Sequence, residues 1–313
     1  MPSKELSPRA WAALVIVYVI WGSTYLAIKY VVRTMPPLLT AGVRFLIAGL
    51  ILYWLGTRRA DRSDRPTRAH WRSAMVIGAC LPLGGNGLVN LAEQRPLASG
   101  TVALLIATIP LWLALFDRVR FGARLRPVSV AGIAVGFAGA AFLVHPPGGT
   151  HIDLVGAMFA IGASMIWAYG SLYARTAPLP SSGAVATGME MLCGGVGLVI
   201  AGAARGELSH VHADRFATSS LIGLAYLIVF GSLVAFTAYV WLLRNVRTTI
   251  VGTYAYVNPL VAVFLGALLL HEKLTVTTGI AGAIIIAAVA LIVGWGKPEA
   301  PLRDDLSAER LAT

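Results

Sequence analysis

The sequence predicts an all-α integral membrane fold: ten transmembrane helices forming two inverted five-helix repeats around a central cavity, with both termini cytoplasmic. Three observations predict it. The composition is too apolar for water, ten charge-poor runs have membrane-crossing length, and unusual residues recur between the two halves of the chain. Of the 313 residues, 57% are hydrophobic and only 12% charged, so lipid must solvate most of the surface. A formal net charge of +11 does not imply a nucleic-acid partner, because the basic residues are dispersed between apolar runs rather than gathered on one face. Cys80 and Cys193 each sit in an apolar run without the paired spacing of a zinc or redox site, so they read as packing residues and no metal or cofactor is expected.

A hydrocarbon core about 30 Å thick takes roughly 20 residues of helix. Runs of that length cover 11–30, 37–55, 73–92, 96–116, 127–145, 153–173, 182–204, 218–243, 248–270 and 274–295. The first follows Lys4 and Arg9 as a signal peptide would, yet its length and the spans behind it mark it as retained. The second and seventh carry the intramembrane charges, Arg44 and Glu190. The third contains Leu81-Pro-Leu-Gly-Gly-Asn-Gly87, where a proline and glycines weaken the helix and release backbone groups. Gly132, Gly136 and Gly139 let the fifth approach a neighbour closely.

Orientation follows from Lys and Arg, which translocated short loops avoid. With the N-terminus inside, the inner segments hold Lys4, Arg9, the arginines from Arg58 to Arg72, Arg118, Arg120, Arg124, Arg126, Arg175, Arg244, Arg247, Lys297, Arg303 and Arg310. The outer segments hold only Lys29, Arg33, Arg95, Arg205, Arg215 and Lys273. That asymmetry puts both termini in the cytoplasm of a multi-pass inner membrane protein.

The halves divide near residue 147. Trp21 and Arg44 are 23 apart, as are Trp167 and Glu190, and Ile109-Pro-Leu111 lies over Asn258-Pro-Leu260. The expected units are a first repeat at 1–146, a second at 147–297 and a cytoplasmic tail at 298–313. Five spans is an odd number, so the second unit sits upside down relative to the first. Such inverted repeats let secondary transporters open a central site alternately to each side.

Trp21-Gly-Ser-Thr-Tyr25, Pro36-Pro-Leu-Leu-Thr-Ala-Gly-Val-Arg-Phe45, Asn86-Gly-Leu-Val-Asn90 with Glu93, and Asn258-Pro-Leu260 leading to Glu272 together resemble the EamA-type exporters of the drug/metabolite transporter superfamily, over nearly the whole chain. The resemblance implies ten helices around a cavity lined mainly by spans 1, 3, 4, 6, 8 and 9, and export of amino acids or other metabolites. One departure is informative: the related small multidrug-resistance proteins use a glutamate in their first helix, and this first helix has no acid, which argues against cationic drugs.

Polar groups in lipid cost energy unless they face a partner or a wet cavity. Asn86, Asn90 and Glu93 recur at intervals of four and three, one stripe of the third span, readable as cavity lining or as asparagines bonding a packed neighbour. Trp21 and Tyr25 share a face of the first span, and Trp167 repeats the placement in the sixth; they suit either an aromatic substrate wall or ordinary packing. Tyr239 in the eighth span, with Thr253 and Tyr256 in the ninth, are further candidates for the lining. Arg44 and Glu190 occupy equivalent positions and either neutralise each other or bond separately, with Glu190 also a candidate proton carrier coupling transport to a proton gradient. Lys29 either attracts a carboxylate at the outer mouth or snorkels to the interface, and Glu272 reads as a cap or loop bond.

An enzyme would need a nucleophile, an acid pair or a metal site at membrane depth, and a pump would need a phosphate-binding loop; the sequence offers neither. The expected partners are the lipid bilayer, a small-molecule substrate and protons, in a protein that functions as a monomer. A passive facilitator or a scaffold remains the alternative to a secondary transporter.

Overall fold

The computed structural model describes residues 7–59, 65–121, 127–144, 152–246, 248–251, 253–273 and 275–295. Helix α1 (Pro8–Val31) starts where the Ser7 hydroxyl accepts the Ala10 N–H at 3.2 Å, with Pro8 at the first helical position, where a missing N–H costs nothing. Helix α2 (Pro37–Arg59) begins at a proline too, and its free N–H groups at Leu38 and Leu39 donate to Oε2 of Glu207 at 3.0 and 2.9 Å. A carboxylate there satisfies two orphan donors and opposes the positive end of the helix dipole.

Helix α3 (Arg68–Gly78) passes through a π-helical stretch, Ala79–Asn86, into α4 (Gly87–Gln94). Pro82 within that stretch has no N–H for the ladder, and the wider turn absorbs the loss. Helices α5 (Ser99–Ile106) and α6 (Ile109–Phe121) follow in line, broken at Ala107-Thr108 where the Thr108 hydroxyl turns back to Leu105 O. Then come α7 (Pro127–Val144), α8 (Leu154–Ala174) capped by Asp153, and α9 (Gly183–Ala204) capped by Ser182. Helix α10 (Thr218–Tyr226) enters a second π-helical stretch, Leu227–Val234, before α11 (Ala235–Asn245). Helices α12 (Thr248–Val251), α13 (Tyr254–Leu270) and α14 (Val276–Trp295) complete the chain.

Each expected run is mostly helical over its described residues, with non-helical positions at 96–98, 107–108 and 253 inside the fourth and ninth runs. Seven helical segments are long and apolar enough to cross a membrane, and three shorter apolar helices accompany them among the described residues. The third and eighth runs, expected as plain helices apart from the weakened Leu81–Gly87 region, both contain π-helical turns.

Lipid tails are as apolar as leucine, so helices in a bilayer associate through close packing rather than through the hydrophobic effect. The pairing of α2 with α9 is built that way. Gly42, Gly49 and Gly56 on α2 face α9, and Gly188, Gly195 and Gly202 on α9 face α2, each set at a spacing of seven. A Cβ at Gly49 would stand 3.0 Å from Gly188 O and Leu192 N, and one at Gly195 would stand 3.1 Å from Leu46 N, so backbone lies against backbone. Helix α7 packs on α14, α1 on α13 and α11, and α8 on α4 and its π-helical neighbour. The interior left between α1, the first π-helical stretch, α8, α11 and α13 holds the candidate site.

Candidate functional site

A partly open pocket lies at this junction, its empty space about 660 Å³ with the solvent at its mouth included. Its walls carry the rings of Trp21, Tyr25, Trp167, Phe236 and Tyr254, the amides of Asn86 and Asn258, and the guanidinium of Arg44. The aromatic wall is stiffened by ring contacts: Trp21 lies 5.5 Å from Phe236, 4.8 Å from Tyr239 and 5.4 Å from Tyr254 between centroids. Its indole Nε1 donates to Gly231 O at 3.2 Å. That carbonyl belongs to the second π-helical stretch, where the altered ladder leaves oxygens for side chains. Trp167 lies over Gly85 of the first π-helical stretch, where an added Cβ would come 2.6 Å from its Cε3.

Arg44 is 5% exposed. Its Nε donates to Ser232 Oγ at 2.9 Å and its Cζ stands 4.7 Å from the Phe45 ring centroid, while Nη1 has no hydrogen-bond partner. Gly231 makes room for it, since a Cβ there would lie 3.2 Å from Nη2. No ion pair joins Arg44 to Glu190 among the described residues, and Glu190, half-buried on α9, is not among the cavity-lining residues.

The cavity thus gathers Trp21, Tyr25, Asn86, Trp167 and Arg44 from the expected set. Asn90 is buried but does not line it; its Nδ2 donates to Asn86 O at 2.8 Å one turn back, which is the packing alternative. Tyr239 stands behind Trp21 as a supporting ring. The Thr253 hydroxyl pairs with the Tyr18 hydroxyl and with Ile250 O. The Tyr256 side chain lies outside the described residues.

Tyr254 and Asn258, four apart on α13, line the cavity and were not among the residues expected to do so. With its amide nitrogen turned toward them, Asn258 donates to Tyr254 O and Tyr18 O at 3.2 Å each. The residue before Pro259 bonds Tyr254 O in its own helix and ties α13 to α1. Asn258-Pro marked this helix, but not which face turns inward.

At the C-terminal end of the third run, Lys29 Nζ donates to the carbonyls of Glu93, Arg95 and Leu97 at 2.8, 3.0 and 2.7 Å. The ammonium therefore closes the carbonyl end of α4, and stands 3.8 Å from Glu93 Oε2, an ion-pair distance beyond hydrogen-bond reach. Glu272 accepts from Ser99 N and Oγ at 2.8 and 2.9 Å, capping α5 rather than its own neighbour α14.

A bundle of apolar helices enclosing an aromatic and polar cavity defines a multi-pass membrane transporter. The chain belongs to the EamA-like transporter family, whose sequence pattern matches residues 9–145 and 154–294. The uncharacterized inner membrane transporter YedA of Escherichia coli (strain K12) is 38% identical over 315 residues, covering 99% of this chain and 100% of its own. A probable amino-acid metabolite efflux pump of the same organism is 22% identical, covering 92% of this chain and 94% of its own. One solved crystal structure shares the fold with a TM-score of 0.62 at 21% identity, over 97% of this chain and 99% of that one. These relatives point to a transporter of the inner membrane rather than an enzyme.

Proposed function

We propose that this protein is a secondary transporter that exports small polar metabolites, amino acids foremost, by alternating access. All ten helical runs cross the bilayer, both termini are cytoplasmic, and the units at 1–146 and 147–297 act as inverted halves. The observation that carries the reading is a single cavity walled by both units: Trp21, Arg44 and Asn86 from the first, Trp167, Tyr254 and Asn258 from the second. A site held between two halves changes its exposure when they rock against each other.

The packing supports the inverted relation. The contact of α1 with α11 has its counterpart in that of α8 with α4, and α2 with α9 and α7 with α14 are pairs of equivalent helices. The amino-acid class draws support from the efflux pump related at 22% identity. Proton coupling through Glu190 belongs to the same reading; a Glu190→Gln transporter whose uptake still follows an imposed pH gradient removes that role.

The test is uptake of radiolabelled amino acids into proteoliposomes containing the full chain, with and without a pH gradient. Saturable, stereoselective uptake that the gradient accelerates is the expected result. Uptake no greater than in empty liposomes across the panel overturns the amino-acid assignment, and uptake indifferent to the gradient replaces coupled transport with facilitation.

A further inference from the structure

The cavity holds one charge without an answering one. Among the described residues that line it, Arg44 is the only charged one and none is Asp or Glu. An arginine 5% exposed at membrane depth carries a large desolvation cost unless an anion or several acceptors meet it. One acceptor is present. Nε donates to Ser232 Oγ at 2.9 Å and Phe45 covers the guanidinium at 4.7 Å, while Nη1 is buried without a hydrogen-bond partner on a residue that lines the cavity. These contacts fix the plane of the guanidinium and leave donors free, the form in which arginine recognises a carboxylate.

We infer that Arg44 anchors a carboxylate of the transported solute, so that the substrate class is monocarboxylates with an apolar or aromatic body and the α-amino group is dispensable. The inference rests on the cavity being the transport site. The body of the solute meets Trp21, Tyr25, Trp167 and Tyr254, flat faces that reward apolar and aromatic groups. An ammonium group is tolerated on such faces through cation–π attraction. Nothing in the lining demands it, because no carboxylate is there to pair with it. Amino acids are then one subset of the substrates, recognised by their acid end.

The experiment is calorimetric titration of the purified full chain in detergent with phenylalanine, 3-phenylpropionate and phenylalaninamide. The first keeps both groups, the second only the acid and the third only the amine. Phenylalanine and 3-phenylpropionate are expected to bind within about threefold of each other, and the amide about 10- to 100-fold more weakly, the range of a lost charge-assisted hydrogen bond. Arg44→Gln should remove the preference for acid over amide, and Arg44→Lys should keep part of it. The comparison on unaltered protein stands even if Arg44→Gln fails to fold.

Amide binding equal to that of 3-phenylpropionate overturns the inference, as does a folded Arg44→Gln protein that still prefers the acid. Absence of binding by all three also overturns it. The transporter reading falls separately, on the proteoliposome uptake panel, and survives any of these outcomes if that uptake is saturable.

Discussion

The indole nitrogen of Trp21 donates to the carbonyl oxygen of Gly231 across 210 residues of sequence, at 3.2 Å. Its counterpart Trp167 lies over Gly85, and both glycines fall inside π-helical stretches. Each of the two family-matched stretches, 9–145 and 154–294, therefore presses a tryptophan against a loosened turn of the other. Trp21→Phe keeps a ring but removes the donor to the carbonyl of a buried glycine, a hydrogen bond worth about 0.5–1.5 kcal/mol. Trp21→Ala also loses the contacts with Phe236, Tyr239 and Tyr254 and should cost about 3–5 kcal/mol. Melting of the detergent-purified variants should rank native above Trp21→Phe above Trp21→Ala; equal melting of the native and Phe proteins would show that the hydrogen bond contributes nothing.

The α2–α9 seam predicts an intolerance confined to one helix face. A side chain at Gly49 must displace the Gly188 carbonyl and the Leu192 amide, 3.0 Å from its Cβ, and backbone in a close-packed seam cannot yield as a side-chain tip can. Gly49→Val should cost at least about 1–3 kcal/mol, the usual penalty of overpacking, and broaden the size-exclusion profile. Gly279→Ala, where nothing lies within 4 Å, should leave melting and profile unchanged. Equal behaviour of the two would mean that the seam is not closely packed.

The spans were legible because lipid imposes a length and a polarity that few other constraints match. The face each helix turns inward was less so. Asn90 satisfies itself on Asn86 O, and sequence cannot say when a polar group will choose its own helix over a cavity. On α13 the hydroxyl of Thr253 bonds at the helix start while Tyr254 and Asn258 turn inward, a one-residue phase difference that an almost wholly apolar helix hides. The second π-helical stretch contains no proline to announce it; its only trace was Gly231 standing where Gly85 stands in the first half. The heptad glycines of α2 and α9 were present in the sequence and point to the seam.

The Arg95–Asp153 pair, between α4 and α8, predicts a one-sided pH dependence. Arg95 Nη2 and Nε donate to the two carboxylate oxygens at 2.7 and 3.0 Å, and Gly156 N–H donates to Oδ1 at 2.6 Å. The hydrogen bond from Arg95, helped by the Gly156 N–H, holds the Asp153 carboxyl below its ordinary value. A carboxyl lowered on folding contributes stability that is fully present above its unfolded value of about 3.9 and is lost as pH falls through the lower folded value. Asn in this place still caps the helix but cannot pair with Arg95. The melting difference between native protein and Asp153→Asn should be constant from about pH 5 to 8 and narrow only below about pH 4; narrowing toward pH 8 instead would contradict the sign.

Lys29 and Glu93 make the most demanding prediction, because each is placed at the other's expense. Glu93 is 1% exposed with both carboxylate oxygens lacking a hydrogen-bond partner, and Lys29 Nζ stands 3.8 Å from one of them. Lys29→Met leaves that carboxyl group buried without its counter-charge and strips three carbonyls at the α4 terminus of their donor, a loss of about 1–3 kcal/mol. Glu93→Gln alone is milder, because the ammonium keeps its three carbonyl acceptors. The double variant removes the stranded charge and should be more stable than Lys29→Met alone, so the two effects are non-additive. Melting of the four proteins decides it: a double variant no more stable than Lys29→Met shows that Lys29 acts through the carbonyls of Glu93, Arg95 and Leu97, with the Glu93 carboxylate a bystander.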